Sequence, residues 1–185
     1  VISANSAEEI NSAIKQEVAD GKTAIRLNIA SDAGDNEFKA IREAFKNVKS
    51  GTIDLTLIGC KEIPADGLND IKALKSIFLP DVTKIGMNAL SYCVNLQEIC
   101  APNVSAIDER AFAGFIMLTK VTLGELTDVR GEANSGGGIF DDDKRILIDL
   151  YLPKNQEVMK GEFDENSNQY IWKPTGESYF ASPDV

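Results

Sequence analysis

Residues 74–95 read LKSIFLPDVTKIGMNALSYCVN, and residues 96–117 read LQEICAPNVSAIDERAFAGFIM. Both segments are 22 residues long, and both carry Leu first, Ile fourth, Pro seventh, Val ninth, Ile twelfth and Ala sixteenth. A unit this short cannot bury its apolar positions by itself, whereas stacked copies can. The period therefore predicts a solenoid.

The phase extends in both directions. One period upstream, residues 52–73 read TIDLTLIGCKEIPADGLNDIKA. There Leu55 answers Ile77, Leu57 answers Leu79, Cys60 answers Val82 and Ile63 answers Ile85. Thr52 stands where Leu is expected. Downstream, Leu118, Val121, Leu123, Leu126 and Val129 keep phase until RGEANSGGG, residues 130–138, breaks it. Three consecutive glycines among small polar residues read as a loop. Ile139 and Phe140 then restore the pair seen at Ala111 and Phe112, and LIDLYLP, residues 147–153, restores the strand LKSIFLP of residues 74–80.

The flanks differ from the repeats. Residues 1–22 predict an amphipathic helix, with Ser6 and Glu9 at capping-box spacing, Ile10, Ile14 and Val18 on one stripe, and Asp20-Gly21 as the stop. AIRLNI, residues 24–29, alternates as a strand does. A second helix is expected over 35–48, with Phe38, Ile41, Phe45 and Val48 on one face. Residues 1–51 thus form a helical N-terminal cap with an elongated first repeat, 52–153 the repeats, and 154–185 an irregular C-terminal cap. Phe163, Tyr170, Trp172, Tyr179 and Phe180 are expected to fold that cap over the last rung. The whole of 1–185 is read as one domain.

Composition narrows the function classes. The net charge of −10, with no clustered Lys/Arg stripe, argues against a nucleic-acid partner. No apolar run is long enough to span a bilayer. The chain opens at Val1 without a charged and apolar leader, as expected of a trimmed or processed form. Histidine is absent, which removes the commonest general base and the commonest metal ligand. The three cysteines, Cys60, Cys93 and Cys100, form no C-x-x-C motif, and an odd count leaves at least one unpaired. The acidic run Asp141-Asp142-Asp143 lacks the alternate-residue spacing of a calcium loop. No cofactor, metal or catalytic residue is assigned.

The pattern L-x-x-I-x-L-P-x-V-x-x-I-x-x-x-A-[LF]-x-x-C-x-x-L resembles the BspA-like leucine-rich repeats, bacterial surface proteins frequent in Bacteroides-type species. Residues 74–96 match it even at Cys93, while residues 96–118 have Phe115 where the family often has Cys. The resemblance covers about 52–153. It implies an α/β solenoid, a right-handed coil with a parallel sheet of short strands on its concave side. It also implies secretion or surface anchoring, with a lipid anchor allowed for in a precursor, and for some members adhesion to protein partners. Motif residues in such repeats are core, so they specify fold and not function.

Candidate binding residues follow from strand alternation. The fourth and sixth repeat positions are apolar and must point inward: Leu55/Leu57, Ile77/Leu79, Ile99/Ala101, Val121/Leu123 and Leu150/Leu152. The third and fifth then point outward and form two ladders. The third-position ladder is Arg26, Asp54, Ser76, Glu98, Lys120 and Asp149. The fifth-position ladder is Asn28, Thr56, Phe78, Cys100, Thr122 and Tyr151. Phe78 and Tyr151 are the expected aromatic anchors for a protein or glycan partner. Cys60 and Cys93 are expected as buried thiols and Cys100 as an outward one. These residues are expected to form a non-catalytic binding face, and the family resemblance implies that it belongs to a cell-surface or secreted binding or adhesion module. The competing expectation is a structural spacer, or one module of a larger surface assembly, whose outward ladders tolerate charge reversal.

Overall fold

The structure, a computed structural model, describes residues 1–124, 148–152, 157–164, 166 and 169–175. Strand β1 (Ile2–Ser3) leads into helix α1 (Ala7–Ala19), then β2 (Ala24–Asn28) and helix α2 (Asp35–Phe45). The repeats supply β3 (Ile53–Ile58), β4 (Glu62–Ile63), β5 (Leu74–Phe78), β6 (Lys84–Ile85), β7 (Glu98–Ala101), β8 (Ala106–Ile107) and β9 (Lys120–Leu123). After the undescribed stretch come β10 (Ile148–Leu152), β11 (Glu157–Asp164) and β12 (Gln169–Pro174). Among the described residues the strands form a nine-stranded sheet, β1-β2-β3-β5-β7-β9-β10-β11-β12, and a three-stranded sheet, β4-β6-β8.

Each of the three 22-residue repeats over 52–117 contributes one strand to each sheet, in parallel and in phase. Ser76 faces Glu98 and Ile77 faces Ile99, and on the short sheet Lys84 faces Ala106. A third backbone ladder runs along the turns. The N–H groups of Asp66, Leu68 and Asp70 donate to the carbonyls of Met87, Ala89 and Ser91. Those of Asn88, Leu90 and Tyr92 donate in turn to Glu109, Ala111 and Ala113. Each rung therefore satisfies its neighbour's backbone along three sides, which buried peptide groups require. Inside lie the repeated apolar positions: Leu55, Leu57, Ile77, Leu79, Ile99, Ala101, Val121 and Leu123 are fully buried, as the alternation predicts. Beneath them Phe112 and Phe115 pack at 6.3 Å between ring centroids.

Side chains clip the rungs together at the same period. Asp81 accepts from the Gly59 N–H at 2.9 Å, and Asn103 Nδ2 donates to the Pro80 carbonyl at 2.7 Å. Thr83 Oγ1 donates to the Lys61 carbonyl, and Asn95 Nδ2 to that of Lys72. The misfit at Thr52 also has a local cause. The register shifts between Ile53 and Asp54, so that Ile53 faces Leu74 while Asp54 faces Ser76. Buried Ile53 thereby supplies the apolar side chain that the period places at 52.

The N-terminal helices close the first rung. Ser6 accepts from the Glu9 N–H at 3.3 Å, while Glu9 reaches back to the Asn5 N–H at 2.8 Å. Ile10 and Ile14 are buried, and Gly21 takes the left-handed conformation that ends the helix (φ 77°). The expected single helix over 1–22 is corrected at its start, where Ile2–Ser3 pairs with Leu27 and Asn28 as an added parallel strand. α2 is three residues shorter than expected, ending at Phe45 and not Val48. Arg42 on α2 completes the turn ladder, its Nη1 donating to the carbonyls of Asp66 and Gly67 at 2.9 and 2.7 Å. The guanidinium takes the place of the backbone donors that a turn of the common repeat would present there, because the first repeat has a helix instead.

The other end is corrected more strongly. Over 157–164 and 169–174 the chain is not irregular, because β11 pairs antiparallel with β10, and β12 antiparallel with β11. The parallel sheet thus continues into a hairpin. The repeat period carries no information there, so its absence does not mean absence of structure. The expected loop at 130–138, Asp141-Asp142-Asp143, Pro153, and Tyr179 and Phe180 lie outside the described residues.

Candidate functional site: the outward face of the sheet

The outward ladder assembles as the alternation predicts from β3 onward. Asp54, Ser76, Glu98, Lys120 and Asp149 face one another in succession, and so do Thr56, Phe78, Cys100, Thr122 and Tyr151. The first rung is corrected. Arg26 faces Thr56, Ala24 faces Asp54, and Asn28 faces Ile58. Arg26 therefore stands in the fifth-position ladder, and Asn28 lies beyond both ladders. The first repeat carries a full helix and does not follow the common period. The expected ladder sets Arg26 against Asp54, an offset of 28 residues, whereas the observed offset is 30, from Ala24 to Asp54, so the strand is misplaced by two residues. A slip of two keeps the same face outward, which is why Arg26 is still exposed.

The outward side chains bond mainly to one another. Ser76 donates to the Asp54 carboxylate at 2.6 Å. Lys120 Nζ lies 2.9 Å from Glu98 and 5.4 Å from the centre of the Tyr151 ring. The hydrogen bond to Glu98 holds the Lys120 ammonium above its ordinary pKa. Asp54 and Glu98 sit two rungs apart with Ser76 between them, as the register requires, so they do not form a closely spaced carboxylate pair.

Relief on this face is set by side-chain size. Phe78 and Tyr151 are half-buried, and between them lie Cys100 and Thr122, only 8% and 3% exposed. Cys100 stands on the outward face as expected, but it is not accessible there. The small side chain points outward by register, yet it lies low between Phe78 and Thr122 on the adjoining rungs. Burial pushes its pKa up, and the Glu98 carboxylate adds to the shift. The result is a shallow saddle: two aromatic walls three rungs apart, about 14 Å at the usual strand spacing, with a low floor and the Glu98–Lys120 pair along one side.

The remaining thiols are core. Cys60 and Cys93 are fully buried, their pKa values pushed up by burial to about 11 and about 12. Cys93 Sγ donates to the Leu68 carbonyl at 3.1 Å, and all three cysteines are free thiols. Away from the saddle, an open cleft of about 400 Å³ lies between the end of α2 and the first turn, lined by Arg42, Phe45, Lys46, Asp70, Ile71 and Lys72. Its cations are engaged: Arg42 on carbonyls, Lys46 with Glu43 at 3.8 Å, and Lys72 with Asp70 at 3.7 Å. No group of three or more metal-ligating side chains occurs among the described residues, and no described helix is long and apolar enough to cross a membrane.

A model described as BspA type Leucine rich repeat region (6 copies) matches residues 36–136, just over half of the sequence. The chain belongs to the BspA-type leucine-rich repeat family. The match begins inside α2, so the family pattern reaches further towards the N-terminus than residue 52. Comparison with curated proteins finds no match, and comparison with solved structures finds none either. Repeats of this family are generally non-enzymatic scaffolds and suggest a protein-interaction module.

Sequence reasoning placed no functional residue on the turn side. The available signal was the occupancy of two repeat positions. The fifteenth carries Asp66, Asn88 and Arg110, and the nineteenth carries Asp70, Tyr92 and Gly114, all six with positive φ. Asp, Asn and Gly are the usual occupants of that conformation; Tyr and Arg are not.

Proposed function

We propose that this chain is a single non-catalytic domain, secreted or held at the cell surface, that presents the outward face of its sheet to a protein or glycan partner. The sheet face is taken as the concave side of the coil. The observation that carries the reading is the saddle. Phe78 and Tyr151 stand above Cys100 and Thr122, and aromatic walls around a low floor suit the insertion of a partner side chain or sugar ring. The Glu98–Lys120 pair beside it supplies an acceptor and a donor at the rim.

The test is a binding screen against immobilised glycans and extracellular proteins, followed by Phe78→Ala and Tyr151→Ala. Each substitution is expected to abolish binding of the partner found, with Tm nearly unchanged, because both rings are half-buried and lie outside the core. A large fall in Tm would make the rings structural. The mutual pairing of Ser76 with Asp54 and of Lys120 with Glu98 favours the second reading, a spacer in a larger surface assembly. That reading requires binding to survive Glu98→Lys and Lys120→Glu.

A further inference from the structure

The turn side carries a surface that the sheet face does not explain. Among the described residues, the large apolar side chains left exposed are Val1, Met87, Tyr92, Ile116 and Met117. Met87 and Tyr92 lie on one turn. Ile116 and Met117 lie on the segment that leaves the next turn. The exposure is substantial, 44% for Tyr92 and 64% for Ile116. Tyr92 packs on Gly114, two residues before Ile116, so exposed apolar side chains of two adjoining rungs come together there, unlike the scattered exposed residues of an ordinary surface.

The backbone singles out the same place. The two residue types that fit the left-handed conformation poorly, Tyr92 (φ 60°) and Arg110 (φ 57°), occupy adjoining rungs and touch. Arg110 Nη2 donates to the Tyr92 hydroxyl at 3.2 Å. The Tyr92 ring lies against Gly114, where an added Cβ would fall 2.4 Å from ring atom Cδ1. Gly114 therefore serves two ends, a positive φ of 74° and room for the ring. Strained backbone that positions exposed side chains is characteristic of recognition sites.

Charge indicates what would cover the patch. Asp66, Asp70, Asp108 and Glu109 border it, all exposed, and Glu109 lies on the rung next to Met87. Arg110 donates to the Tyr92 hydroxyl, Lys72 lies 3.7 Å from Asp70, and Lys84 lies 2.9 Å from Glu62 and 3.8 Å from Asp108, so with Glu62 counted five acids face three cations around the patch and a net negative charge remains. We infer that the turn side around Tyr92 and Ile116 is a docking surface for a basic amphipathic polypeptide, its apolar side chains flanked by lysine or arginine. Methionines at such a surface adapt to the shape of the inserted side chains. A second copy of this chain fits less well, since two molecules of net charge −10 repel. The surface lies apart from the sheet face, so both partners could be held at once.

The probe is a dye-labelled helical peptide of leucine and lysine with leucines at i, i+3, i+4 and i+7, read by fluorescence anisotropy against its leucine–glutamate counterpart. The basic peptide is expected to bind and the acidic one not. Ile116→Glu adds a negative charge, so purely electrostatic attraction would strengthen. The proposal instead expects affinity to fall by about tenfold or more. Ile116 is exposed, so circular dichroism should show an unchanged fold. Tyr92→Gly, which relieves the positive φ but gives up the contacts with Gly114 and Arg110, should also weaken binding with the circular dichroism spectrum unchanged, and Phe78→Ala should leave affinity unchanged. No binding of the basic peptide, equal binding of the acidic one, or affinity unaltered or raised by Ile116→Glu would each overturn the proposal. So would an equal loss with Phe78→Ala, or self-association in sedimentation that Ile116→Glu abolishes.

Discussion

Cys60 shows how far one position in the repeat governs the chemistry of its occupant. It stands where Val82 and Val104 stand on later rungs, and like them it is fully buried. Its pKa rises from 9.0 to about 11 because burial disfavours the thiolate. The folded state therefore holds its proton more tightly than the unfolded one. The corresponding stability is complete below about pH 9 and is lost as pH climbs through about 11. Cys60→Val should flatten this dependence. In urea titrations from neutral pH to about pH 10.5, the variant should gain about 2 kcal/mol relative to the parent, with little change at neutral pH. Burial at this position was legible in the sequence, because the period lines a cysteine up with two valines. The low exposure of Cys100 was not. It follows from the height of Phe78 on the adjoining rung, and alternation gives the direction of a side chain without its depth.

At the scale of elements, α2 does what a preceding repeat would otherwise do. Phe38, Ile41 and Phe45 cover the open apolar end, and Arg42 satisfies carbonyls of the first turn. Arg42→Met keeps the aliphatic stem and removes both hydrogen bonds. It should cost about 1–2 kcal/mol in urea unfolding, mainly because the part-buried Gly67 carbonyl loses its charge-assisted donor, the Asp66 carbonyl being exposed to water. Lysine at the same site should recover only part, because a single ammonium cannot reproduce the guanidinium fork. The helices and repeat strands were legible because each has its own apolar period. The register of β2 was not, because its repeat differs in length from the rest. The β11–β12 hairpin was hidden for the same kind of reason: antiparallel pairing at the end of a stack follows no rule the parallel rungs obey.

For the whole molecule, the consequence of strict phase is modularity. Removing residues 74–95 would bring 52–73 against 96–117 with every backbone ladder able to re-form. That chain should fold, with a lower urea midpoint and a smaller m-value in proportion to the lost surface. Removing only residues 74–84 should abolish cooperative unfolding. The full-repeat deletion carries one specific penalty. Ser76 now separates Asp54 from Glu98, and without it the two carboxylates become direct neighbours. Glu98→Gln in the shortened chain should restore part of the lost stability, an effect that shrinks at high salt.

The side-chain clips lead to a mechanical property. Ser76 to Asp54, Thr83 to Lys61, Asp81 to Gly59 and Asn103 to Pro80 each span one period of 22 or 23 residues. Tension applied across these rungs would accordingly find no long-range tie to break at once. Under an optical trap, once the longer end units have yielded, the repeats over 52–117 should peel in equal steps, each lengthening the tether by about 75 Å, the reach of some 22 extended residues. The stack would behave as a staircase of small yields, shedding load one rung at a time while the rungs behind still hold.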